Sequence, residues 1–196
     1  MRATNTNSGR VIPNEPARTK APPKPATVRV RILPKLAITD LSRVVQSRLE
    51  RCEAAFDEMR STPNDKVAYY LDHADALFRF AAEYRMLNEV ANRILSFRNG
   101  EVVDWAKYRN DLWHGAMRAA KNGSQSSSVT SNLMQKYTGE VMIEAIHEDL
   151  FGSGNSLIGM IDRVIKAEHA ALFEDYPVSQ VNRSIEYGYV ARIDPV

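Results

Sequence analysis

The 196-residue sequence has one cysteine, Cys52, so no intrachain disulfide can form. Cys52 follows Val45 and Leu49 at helical spacing, on an apolar stripe, which marks it as a buried thiol rather than a reactive one. No apolar run approaches the roughly 18 residues that a membrane span needs, so no membrane partner is expected. Residues 1–25 lack the apolar stretch of a secretory signal. These absences together fit a cytoplasmic, reducing compartment. The chain has no glycine-rich phosphate loop, no cysteine pair for zinc, and no Ser or Cys beside a plausible triad. Phosphate-loop nucleotide binding, zinc-ribbon structure and triad hydrolysis are therefore set aside, and no cofactor is implied. There is no internal repeat.

What is present is an ordinary globular composition, 44% hydrophobic and 26% charged, with an uneven distribution of charge. The net charge is only +2. Residues 1–35 hold Arg2, Arg10, Arg18, Lys20, Lys24, Arg29, Arg31 and Lys35 against Glu15 alone, a net +7. The remainder holds 18 basic and 23 acidic residues, a net −5. Such a split marks a basic arm with a polyanionic partner. Residues 1–27 have almost no large apolar side chain and cannot offset their ordering entropy alone. Ala21-Pro22-Pro23-Lys24-Pro25 favours an extended polyproline course.

Beyond residue 27 the spacing reads as a short strand and then helices. Val28, Val30 and Ile32 alternate with Arg29 and Arg31 as a short strand that Pro34 ends. A first helix is predicted over about 40–60, capped by Thr39 or Asp40, with a stripe from Leu41 to Met59. A second runs from about Val67 to a left-handed stop at Asn99-Gly100. A third spans about 104–121, a fourth 131–150 and a fifth 156–173. Ile185, Tyr187, Tyr189, Ala191 and Ile193 alternate as a second strand, free to pair with the first or with a neighbouring subunit. The expected fold is all-α: a five-helix bundle over 36–176, a basic arm over 1–35 and an extended tail over 177–196.

Four histidines are candidates for chemistry: His73, His114, His147 and His169. Asp111-x-x-His114 and Glu144-x-x-His147 have the i, i+3 spacing of di-metal carboxylate bundles. The usual alternation with single-carboxylate helices is missing, so no metal site is assigned. The segment Arg109-Asn110-Asp111-Leu112-Trp113-His114-Gly115 stands out. The bare Arg-to-His spacing recurs at Arg163–His169, but there it lacks the flanking Asn and Gly. Arg109, Asn110, His114 and Gly115 together resemble the signature of the HEPN family, small helical bundles of which many are metal-independent RNases. The resemblance covers about residues 40–175. It implies a homodimer in which Arg109 binds phosphate, His114 acts as acid or base, and Asn110 orients them. Histidine suits such proton transfer near neutral pH, and arginine offers fixed cationic donors to phosphate oxygens.

A second class of function accounts better for the arm. Arg18, Lys20, Lys24, Arg29, Arg31 and Lys35 could neutralise nucleic-acid phosphates without sequence preference, or bind acidic neighbouring subunits. Virion and phage structural proteins, connector- or nucleoprotein-like, often pair a helical body with such arms. The sequence therefore carries two expectations. One is a HEPN-like RNase or RNA-binding homodimer. The other is a non-enzymatic virion-type subunit that assembles with itself.

Overall fold

The computed structural model describes residues 26–61, 68, 72–122, 129–146 and 156–193. Six helices and a three-stranded sheet occur among them. In chain order they are β1 (Thr27–Ile32), α1 (Pro34–Ser61), α2 (Ala74–Arg98), α3 (Trp105–Asn122), α4 (Val129–Ile146), α5 (Leu157–Glu168), β2 (Phe173–Pro177), α6 (Val178–Glu186) and β3 (Val190–Arg192). The chain is mostly helical, as its spacing predicts. None of the described helices is long and apolar enough to cross a membrane.

Helix α1 starts six residues before the predicted Asp40. Proline lacks an N–H that the first turn would leave unpaired, so Pro34 ends β1 and begins the helix at once. Thr39, expected as a cap, lies inside this helix and returns its hydroxyl to the Lys35 carbonyl at 2.7 Å. Ala37, Leu41, Val45, Leu49 and Cys52 form the buried stripe. Cys52 is fully buried, and burial pushes its thiol up to about 11.

Three helix ends share one device. Gly100 (φ +83°) closes α2, with the Glu101 N–H on the Ser96 carbonyl at 3.0 Å. Gly188 (φ +66°) closes α6, with the Tyr189 N–H on Ser184 at 2.8 Å. Ala170 (φ +54°) closes α5, with the Ala171 N–H on Lys166 at 2.8 Å. Each is a left-handed residue that redirects the chain while satisfying terminal carbonyls. At the opposite ends, Asp104 and Ser156 accept the backbone N–H groups of Lys107 (2.8 Å) and Gly159 (3.0 Å), capping α3 and α5.

The tail contains more structure than its alternation suggests. Val178, Val181 and Ile185 also satisfy helical spacing, and residues 178–186 form α6. The left-handed turn at Gly188 breaks the alternation, leaving only Val190–Arg192 as strand. Phe173, expected to end the fifth helix, begins β2. The two expected strands do pair: β1 lies between β2 and β3, antiparallel to both. Arg31 lies opposite Phe173 on one side and Ala191 on the other. Val30 and Ile32 are buried in the same core as Leu41, Leu87, Leu157, Ile161 and Val181, so β1 belongs to the body.

Candidate functional site

Helix α3 carries the Arg109–His114 motif. Trp105, Tyr108, Leu112 and Ala116 hold it down, all buried and spaced three or four apart. That anchoring fixes where the motif residues point. Five residues on an α-helix correspond to a rotation of about 140°, so Arg109 and His114 leave on different sides. Arg109 turns towards α5, where its Nε lies 3.1 Å from Oδ1 of Asp162. Its guanidinium also sits 5.3 Å from the Trp113 ring centroid. The pair is about one-third exposed, at 30% and 36%, so much of the arginine's charge is already answered within the chain.

Asn110, Asp111 and His114 are exposed on the solvent side. The His114 ring makes no hydrogen bond among the described residues, and its backbone carbonyl accepts from Nε of Arg118 at 3.3 Å. Asn110, His114 and Arg118, four residues apart, thus share one stripe. Gly115 has a packing role: a Cβ there would lie 2.8 Å from Sδ of Met142 on α4, so the glycine admits close approach of the two helices. Among the described residues no group of His, Cys, Asp and Glu is placed to hold a metal ion. Glu144 accepts a hydrogen bond from Arg79 of α2 instead, and His147 lies outside the described residues.

Of the arm cations, Arg18, Lys20 and Lys24 lie outside the described residues. Val30 and Ile32 face the core, so Arg29 and Arg31 occupy the other face of the sheet. They share it with Phe173 and Asp175, their partners across β2. Arg29 lies 3.8 Å from Asp175, with both side chains about two-thirds exposed (63% and 67%); such a pair holds the arginine weakly. Arg31 is half-buried, and its Nε has no hydrogen-bond partner. Phe173 is 40% exposed beside it. Lys35 is separate: its Nζ donates to the Tyr187 carbonyl at 2.8 Å and lies 5.4 Å from the Tyr189 ring, fastening α1 to the C-terminal end of α6.

One charged cluster is not evident from motif reading. Arg48 of α1 donates from Nε to Oε1 of Glu83 on α2 at 2.9 Å, and Arg51 donates to the same oxygen at 2.9 Å. Arg48 and Glu83 are buried. Burial pushes the Arg48 guanidinium below its ordinary range, and the attraction of Glu83 only partly offsets it. Both residues fall on the buried stripes of their helices, which is the signal that could have paired them.

No protein-family model, curated protein or solved structure matches the chain. The HEPN resemblance therefore rests on the motif residues themselves.

Proposed function

We propose that this protein is a non-enzymatic, nucleoprotein-like subunit whose basic arm and the exposed sheet face beside it bind nucleic acid without sequence preference. The observation that carries this reading is the way the arm is rooted. Its chain runs directly into β1, the central strand, which is hydrogen-bonded on both sides and buried through Val30 and Ile32. The strand brings Arg29 and Arg31 onto a face with the exposed ring of Phe173, and the five cations of residues 1–25 precede it in the sequence. Cations that follow a backbone, with an aromatic face for a base, are what single-stranded nucleic acid requires. Arg109, by contrast, is engaged by Asp162.

The test is binding to a single-stranded RNA oligonucleotide across a salt series. Contact of about five arm cations with phosphates gives a slope of log K against log salt near −3.5. Removing residues 1–25 reduces that slope by more than half, while His114→Ala leaves it unchanged. Binding that ignores both the arm and the salt concentration overturns the reading.

A metal-independent RNase centred on His114 is the second reading. The exposed stripe of Asn110, His114 and Arg118 favours it, with Arg118 better placed than Arg109 to meet a phosphate. RNA cleavage in the presence of a chelator, abolished by His114→Ala in a folded protein, would put this reading first.

A further inference from the structure

We propose that the groove between α6 and β3 receives the Arg10–Pro13 stretch of a second copy of this chain as an added strand. The groove has a volume of about 700 Å³, with Leu33, Ile185, Val190 and Ala191 as apolar lining and Glu186 and Arg192 among its polar residues. That size suits a few side chains. All three residues of β3 line it, and among the described residues no strand lies on the far side of β3. An edge strand with unpaired backbone groups beside an apolar trough is a template for strand addition. The surrounding segment is also rich in exposed apolar side chains: Val178, Ile185, Tyr187 and Ile193 are each at least one-third exposed.

The occupant is argued from the arm's own sequence. After Met1, residues 1–25 contain two large apolar side chains, Val11 and Ile12, and these are adjacent. Arg10 precedes them and can meet Glu186; Pro13 follows and ends the pairing. On an added strand neighbouring side chains alternate, so Arg10 and Ile12 share the face that meets the groove and Val11 takes the other.

Geometry selects the neighbour's groove over the chain's own. The Ala26 carbonyl accepts from the Val178 N–H at 3.0 Å, so the arm is rooted at the first residue of α6. The groove lies towards the other end of that nine-residue helix, about 14 Å away. Thirteen residues separate Ile12 from Ala26, and five of them are proline. The Ala21–Pro25 run beside the root favours a polyproline course of about 3.1 Å per residue, roughly 15 Å, a length that already matches the distance to the local groove before residues 11–12 are reached. The exchange closes into a dimer when reciprocal, and into a ring or filament when head-to-tail. This inference stands whether or not the arm binds nucleic acid.

The test uses the full chain and light scattering. The unaltered protein is expected at a multiple of 22.1 kDa. Ile185→Asp in the groove and Ile12→Asp in the arm each return it to 22.1 kDa. Ile12→Asp leaves every described core residue in place, so its result stands even if the groove variant unfolds. Ile185→Asp retains RNA binding, which separates failure of this inference from failure of the proposed function. Mixing Ile12→Cys protein with Ala191→Cys protein under mild oxidation yields a covalent heterodimer, with buried Cys52 remaining outside the exchange. A monomeric unaltered protein, an unchanged mass in both Asp variants, or no covalent heterodimer in the mixture overturns the inference.

Discussion

Glu83 shows how far one side chain can set the stability of this bundle. It lies between α1 and α2 with buried Arg48 on one side and exposed Arg51 on the other. Removing one partner of a buried pair leaves the other charge uncompensated. Glu83→Gln keeps the shape but loses the charge, and is expected to destabilise the fold by about 3 kcal/mol in denaturant melts. Arg51→Ala, at a side chain 61% exposed, should cost less than about 1 kcal/mol. Equal effects would show that the burial of Arg48 is not what makes the cluster sensitive. Glu168 works in the opposite direction. Glu168 is exposed as a residue, but partial cover of its carboxyl, with a smaller contribution from Asp104, raises that group above the ordinary glutamate range, although His169 pulls it down. The folded state therefore holds this proton more tightly than the unfolded one. Stability from this group is present below the unfolded value and is lost as pH rises through the folded one. Glu168→Gln should melt higher than the unaltered protein at pH 7, and the gap should close below the ordinary glutamate range. A gap that persists in acid would remove ionisation as its cause.

At the scale of elements, spacing was a good guide wherever a helix has one buried face and a chemical end signal. Asn99-Gly100 stops α2 as its composition requires, and Asp104 and Ser156 cap their helices. Short segments were harder to read. Ile185, Tyr187 and Tyr189 fit alternation, while Val178, Val181 and Ile185 fit helical spacing just as well. The left-handed turn at Gly188 decides between them. The end of α5 is obscured for a related reason: Ala170 takes a left-handed conformation that composition assigns to glycine. A side chain there costs about 1–2 kcal/mol, against glycine's greater loss of freedom on folding. Ala170→Gly should thus stabilise by about 1 kcal/mol and raise the melting temperature by roughly 2–4 °C. A fall in melting temperature would mean that the Ala170 methyl supports the turn. The site motif follows the same logic. Its residue types were visible, but their directions depend on which face of α3 is buried. Trp105, Tyr108, Leu112 and Ala116 settle that face and turn Arg109 towards Asp162.

For the molecule as a whole, the question is where the arm ends and the body begins. Charge places the change near residue 35, because Arg29, Arg31 and Lys35 continue the basic series. Packing places it near Ala26. Val30 and Ile32 are buried with side chains of α1, α2 and α5, and Lys35 is fastened to α6. Sequence could not separate these positions, since a basic residue on the outer face of a strand adds the same charge as one in an arm. The contact that distinguishes them joins segments about 150 residues apart. Truncation tests the point. Removing residues 1–25 should leave the melting temperature within a few degrees, because among the described residues the hydrophobic core begins at Val30. Removing residues 1–33 takes the central strand from between β2 and β3. Losing Val30 and Ile32 alone forfeits about 1.5–3 kcal/mol each. The unpaired backbone of both remaining strands adds to that loss. The sum approaches the 5–15 kcal/mol that holds a typical domain together. The longer truncation should therefore fail to fold, or melt non-cooperatively. If both truncations melt alike, the sheet is an accessory to the bundle, and an arm rooted through it would have no firm anchor from which to bind nucleic acid or a neighbouring copy.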